Sequence, residues 1–135
     1  MLEIKPIESK EEQKKILSLC HIPFKESYFA YKAYDGPSLL AAAQFDIHGS
    51  MAELDAIRQA EGTAEDFEGM FILGRAVLNF LDLCGVEAAF SSTTNEDERR
   101  LLKCVGFRED KDGVLRITLT GLFDAKCPSH TGCSQ

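Results

Sequence analysis

The sequence predicts a single α+β domain in which a mixed, mostly antiparallel sheet is flanked by helices. Three observations carry that expectation. Strand-like runs at 28–34, 39–47 and 51–58 are separated by the turn tracts Asp35-Gly36-Pro37 and His48-Gly49-Ser50, the pattern of an antiparallel meander. Residues 67–84 form a long helical pattern stopped by Gly85 and followed by a short apolar run at 86–90, so that strand is reached through a helix and lies parallel to its neighbour. Residues 96–105 form a second, amphipathic helix that leads into a terminal hairpin.

Each element has a local reason. Leu2, Ile4 and Ile7 alternate with charged residues, giving a first strand. Ser9 and Glu12 stand three apart as a capping box, opening a helix to about Cys20 with Ile16, Leu17 and Cys20 inward; Pro23 lies past its end. After the meander, residues 60–64 are a loop into the central helix. There the polar side chains Glu68, Arg75, Asn79 and Asp82 share one narrow stripe, so the rest of the circumference, including Phe67, Phe71 and Leu83, is expected to be buried. Gly69 and Gly74 inside that helix cost about 1 kcal/mol each against Ala, which a close approach by a strand or a ligand would offset. Asn95 is placed as N-cap of the next helix, with Glu96, Asp97 and Glu98 in its first turn, where the dipole favours anions. Leu101, Leu102 and Val105 form its inner face and Gly106 ends it. Strands at 107–110 and 114–120 close the chain around the turn Asp112-Gly113.

Composition bounds the partners. The 135 residues suit one domain, 1–123, followed by a polar tail, 124–135, expected to be partly disordered. A net charge of −7 argues against a nucleic-acid partner, which needs a basic surface. No apolar run approaches the roughly 18 residues of a membrane span and no signal peptide opens the chain, so a cytoplasmic protein with no membrane partner is expected. Five cysteines, three of them in helical patterns, favour reduced core thiols over a disulfide framework.

The order β-α-β-β-β-α-β-α-β-β resembles the GNAT superfamily of acetyl-CoA-dependent N-acetyltransferases, over about 2–123. Asn95, Leu101, Gly106 and Phe107 fall in register with the superfamily's last-helix pattern N-x-x-A-x-x-L-Y-x-x-x-G-F. Gly74-Arg75-Ala76-Val77-Leu78 looks like its G-[KR]-A-L-L run, and Asp35-Gly36 followed by Leu39-Leu40 is similar to its hairpin into the third strand. The resemblance implies acetyl-CoA as acyl donor. Backbone groups of Ala56, Ile57 and Arg58 would hold the pantetheine arm, and Arg58 and Arg75 could reach phosphates, although each reads more readily as a plain surface ion-pair partner. Two positions depart from the family. Its phosphate loop [RQ]-x-x-G-x-[GA] has Gly69, Ile72 and Gly74 here, and Ile72 cannot admit a phosphate to its backbone as glycine does. Glu65, Asp66 and Glu68 would add repulsion of about 1 kcal/mol for each close charge, even in water. The family's general-acid Tyr is Leu102, leaving Cys104 or a water as proton donor.

For the general base, Glu53 and Asp55 stand two apart on the strand before the central helix and so share a face, where close carboxylates raise one another's pKa; a solvated strand face is the bland alternative. Tyr28, Phe29, Tyr31 and Tyr34 either line an acceptor pocket or pack the sheet. His21 and His48 lie at a helix exit and a turn. Cys127, His130 and Cys133 supply three soft ligands at a spacing that matches no standard zinc knuckle, and no metal is expected. Two functions remain open. The first is an acyl-CoA-dependent N-acyltransferase acting on a small-molecule or peptide amine, with homo-oligomers possible. The second is a GNAT-fold ligand-binding or protein-interaction module without turnover.

Overall fold

The computed structural model describes residues Met1 to Leu122. The expected element order is present: β1 (Leu2–Pro6), α1 (Lys10–Leu19), β2 (Phe29–Asp35), β3 (Ser38–His48), β4 (Met51–Gln59), α2 (Phe67–Leu83), β5 (Ala88–Ser91), α3 (Glu96–Val105), β6 (Arg108–Glu109) and β7 (Leu115–Thr118). These strands form one seven-stranded sheet in the order β1-β2-β3-β4-β5-β7-β6. Every pairing is antiparallel except β4 with β5, the strand reached through α2. The expectations for 124–135, including Cys127, His130 and Cys133, lie outside the described residues.

The small residues of β3 assign the faces. Ala42 packs with Ile16, Leu17, Cys20 and Ile22 of α1 and its exit, whereas Ala41 and Ala43 pack with Leu73, Val77 and Leu102 of α2 and α3. Successive strand residues point to opposite faces, so α1 covers one side of the sheet and α2 with α3 the other. Phe29, Tyr31 and Phe80 ring Phe45 at centroid distances of 5.9 to 6.0 Å, and this packing absorbs part of the expected aromatic run.

Three local expectations need correction. The central helix buries one face, through Gly69, Met70, Leu73, Gly74, Val77, Leu78 and Leu81, while Ile72 is 42% and Leu83 77% exposed. It rests on one side of the sheet beside α3, so an apolar sequence alone did not enclose it. At α1 the Ser9 side chain does accept from the Glu12 amide, but the Glu12 carboxylate pairs with Lys32 of β2 rather than with its own cap. The last hairpin spans more than a two-residue turn: the Asp110 carboxylate accepts from the amides of Asp112 and Val114, and Gly113 takes a positive φ of 83°.

Candidate functional site

The site begins where β4 parts from β5. Their parallel pairing covers Met51, Ala52 and Glu53 against Ala88, Ala89 and Phe90, and goes no further. On the other edge of β4, Phe45 pairs with Leu54 and Gln44 with Ala56, which leaves Asp55 as the extra residue of a bulge. Past that bulge the strand runs on to Gln59 without β5 beside it. Between this free stretch and α3 lies a cleft of about 420 Å³, lined by Ile57, Arg58 and Gln59, by Thr63, Glu65, Phe67 and Met70, and by Asn95, Asp97, Glu98, Arg100 and Leu101. That volume lies within the usual range for small-molecule sites, roughly 300–1,000 Å³.

Glu98 occupies the middle of the cleft wall and is 3% exposed. Its Oε2 accepts from the Ile57 amide at 3.1 Å and from Arg58 Nε at 2.7 Å, and its Oε1 accepts from the Thr93 hydroxyl. Arg58 also donates through Nη1 to the His21 carbonyl at 2.5 Å, so one guanidinium joins α3 to the exit of α1. The Asn95 side chain accepts from the Glu98 amide at 2.9 Å, as the expected N-cap, and its own amide donates to Thr93 Oγ1 at 3.1 Å. The Thr93 hydroxyl therefore accepts from Asn95 and donates to Glu98. A buried carboxylate is tolerated only when charged and polar partners surround it, and all of its partners here are donors.

The expected phosphate-binding positions are used for packing. Residues 69, 72 and 74 all lie inside the regular helix α2, whose first amides are met by the Asp66 carboxylate, with Oδ1 accepting from the Gly69 amide at 2.9 Å. A Cβ on Gly69 would stand 2.8 Å from both Leu40 Cδ2 and Asp66 Oδ2, and one on Gly74 would stand 3.1 Å from Val105 Cγ2. The close approach that these glycines permit is thus made by β3, by the helix's own cap and by α3. Gln59 fixes the entry: its Oε1 accepts from the Asp66 amide and its Nε2 donates to Thr63 and Ala64. Arg100 stands at the mouth, loosely paired with Glu65 and Asp97 at 3.8 and 3.9 Å and 5.9 Å from the Phe67 ring centroid.

Glu53 and Asp55 do share a face, the one α1 covers, and neither lines the cleft. Asp55 is held at both oxygens, by Lys25 Nζ at 2.7 Å and by Gln44 Nε2 at 2.9 Å. Gln44 in turn donates to the Pro23 carbonyl and accepts from the Lys25 amide and from Gln13, a buried relay that fastens the loop after α1 to the sheet. Glu53 accepts from the Tyr28 hydroxyl at 2.9 Å and lies across from Asp46 on β3, itself paired with His48. The hydrogen bond to Asp55 raises the Lys25 pKa, and the hydrogen bond to Glu53 raises that of Tyr28.

Of the residues singled out from the sequence, Ile57, Arg58 and Asn95 line the cleft, while Ala56, Gly69, Gly74, Arg75, Glu53 and Asp55 do not. Arg75 donates to the Val105 carbonyl and, with Cys104, lines a separate depression between α3 and β7. Leu102, 1% exposed, is a core residue. The residue missed was Glu98, read as a first-turn acid satisfying the helix dipole. A signal was present: in the pattern N-x-x-A aligned on Asn95, the alanine position is Glu98.

No family model and no curated protein sequence matches the chain. Solved structures do. The ribosomal-protein-S18-alanine N-acetyltransferase of Escherichia coli superposes with a TM-score of 0.67 at 17% identity, over 88% of this chain and 94% of that one. An IAA acetyltransferase from Bacillus cereus gives 0.68 at 18% identity, over 87% and 98%. A Bacillus subtilis acetyltransferase in complex with CoA gives 0.66 at 18% identity, over 86% and 96%. At such identities the likeness establishes the fold, which is that of GNAT acetyltransferases.

Proposed function

We propose, on the premise of a GNAT fold, that this chain is an acyl-CoA-dependent N-acyltransferase. The thioester arm would enter the cleft beside Ile57 and Arg58, and a small-molecule or peptide amine would attack its carbonyl directly. The observation that carries the reading is the parting of β4 from β5 after Glu53, with the bulge at Asp55, which frees a stretch of strand to border a ligand-sized cleft. Glu53 is the better candidate for general base, acting through a water. Among the described residues its one hydrogen bond comes from Tyr28, whereas both oxygens of Asp55 are engaged. The departing thiolate needs no dedicated acid, because an ordinary thiol titrates at about 8.5 and leaves as the anion near neutrality. Acetyl-CoA is the donor by analogy with the CoA complex of the Bacillus subtilis structure. Its pyrophosphate would be held weakly, at the cleft mouth beside Arg100.

A second reading rests on one observation: Asp66 caps the helix end where a pyrophosphate would sit. That favours a GNAT-fold module that binds a ligand or partner without turnover. Thermal shift of the reduced protein separates the two. A ligand at 100 times its dissociation constant stabilises by about 2.7 kcal/mol. Acetyl-CoA and CoA should raise the melting midpoint while ADP does not, and a screen of amines for release of free CoA thiol should then find an acceptor. No shift at millimolar acetyl-CoA would remove the transferase reading and leave the module.

A further inference from the structure

Resting on the reading of this cleft as the thioester site, we infer that Glu98 is a built-in occupant of that site, a latch that incoming ligand must displace. Three facts meet at this residue. First, its Oε2 already holds the Ile57 amide, on a stretch of β4 that pairs with β3 on one edge and has no β5 pairing on the other. Second, the same oxygen holds Arg58 Nε and its neighbour holds the Thr93 hydroxyl, so three donors from β4 and the segment before α3 converge on one carboxylate. Third, the aligned pattern has alanine at this position, a residue that leaves the space open, whereas glutamate fills it. A satisfied structural carboxylate needs no cleft in front of it, yet Glu98 and its partners Ile57 and Arg58 all line one.

The latch has somewhere to go. Glu98 lies in the first turn of α3, next to exposed Asp97 and two residues before exposed Arg100, both of which line the cleft. A rotamer change toward the cleft mouth would carry the carboxylate to water and leave Ile57 N–H, the Arg58 guanidinium and the Thr93 hydroxyl to the ligand. These vacated groups are all donors, so they fit a ligand that presents carbonyl or anionic oxygens, as the amide-bearing pantetheine arm of an acyl thioester does.

The test compares wild type with Glu98→Ala and Glu98→Gln by calorimetric titration with S-acetylpantetheine, acetyl-CoA and ADP. Hydrogen exchange at the Ile57 amide is followed in parallel. The expected result is that Glu98→Ala binds S-acetylpantetheine and acetyl-CoA about tenfold or more tighter than wild type, the value of one charge-assisted hydrogen bond no longer broken on entry, with ADP unchanged. The Ile57 amide should lose protection in the free variant and regain it with S-acetylpantetheine. Glu98→Gln, which keeps an acceptor but not the charge, should fall between, and it carries the test if the alanine variant does not fold. Equal affinity in wild type and folded variants would overturn the latch and leave the transferase reading standing. Absence of binding to all three proteins would remove both.

Discussion

At the scale of single residues, the two carboxylates expected to act alike have been given different work by their neighbours. Asp55 sits at a bulge with Lys25 on one oxygen and Gln44 on the other, so it anchors the loop that follows α1. Among the described residues Glu53 accepts one side-chain hydrogen bond, from Tyr28, and lies across from Asp46 on β3. If the chain transfers acyl groups, Glu53→Gln should lower kcat by about 10²–10⁴-fold with the affinity for acetyl-CoA and the melting midpoint nearly unchanged. Asp55→Asn should instead cost about 1 kcal/mol of stability through the lost charge on Lys25, read in urea titrations. A kcat loss confined to Asp55→Asn would reverse the assignment. Cys20 makes a separate case. Burial against Ala30, Ala42 and Ala56 pushes its thiol up to about 11, so its thiolate is scarce at neutral pH. Alkylation of the native protein at pH 8, mapped by mass spectrometry, should label exposed Cys84 and spare Cys20 until denaturant is added.

At the scale of elements, α2 shows how glycines that fall in a motif register also serve packing. Gly74 through Leu78 aligned with the family's run, and the helix is where that alignment put it. Gly69 admits the Leu40 side chain and the capping Asp66 close to its backbone. Gly69→Ala improves helix propensity by about 1 kcal/mol. Even so, the added methyl must fit 2.8 Å from Leu40 Cδ2, and overpacking of this kind costs about 1–3 kcal/mol, so a net loss of stability is expected in denaturant titration. A gain would mean that β3 yields easily. Asp66→Ala should cost about 1 kcal/mol as a lost cap. The helices and meander were legible because hydrophobic period, cap residues and turn glycines agree at each boundary: Ser9, Asn95, Gly85 and Gly106 all act as their types suggest. The exposure of Ile72 and Leu83 was not legible, because nothing in the order of residues states how many layers will cover a helix. Glu98 was hidden for a related reason. An acid in the first turn already has a sufficient local explanation, and the tertiary one needs β4, which is 40 residues away.

At the scale of the whole molecule, the chain has two cores of unequal size on the two faces of one sheet. The smaller joins α1 and its exit to Ala30, Ala42, Ala56 and Ala60, and it is pinned by the polar chain running from Gln13 through Gln44 and Asp55 to Lys25. Three groups with raised pKa values, Cys20, Lys25 and Tyr28, belong to this one region. For each, the folded value lies above the unfolded one, so the protonated form is the one folding favours. Their contribution is fully present below their unfolded values, at about pH 8.5 for Cys20 and about 10 for the other two, and is lost as pH rises through the folded values. Glu109 and Asp110 have the opposite sign. Lys103 and Arg116 hold them below the ordinary carboxylate range, so what they contribute is present at neutral pH and lost on acidification. Tyr31, raised by burial, packs on the main core, but three alkali-sensitive groups belong to the α1 side, so alkali should act first there. Urea midpoints measured from pH 7 to 11 should stay level to about pH 9 and then fall. Limited proteolysis above pH 10 should cut between α1 and β2 before it cuts in α2 or α3, since regions with few buried contacts open before the main core does. Lys25→Met should flatten part of that fall. Simultaneous cleavage on both faces would show instead that the sheet opens as one unit and that the relay through Gln44 couples the two cores.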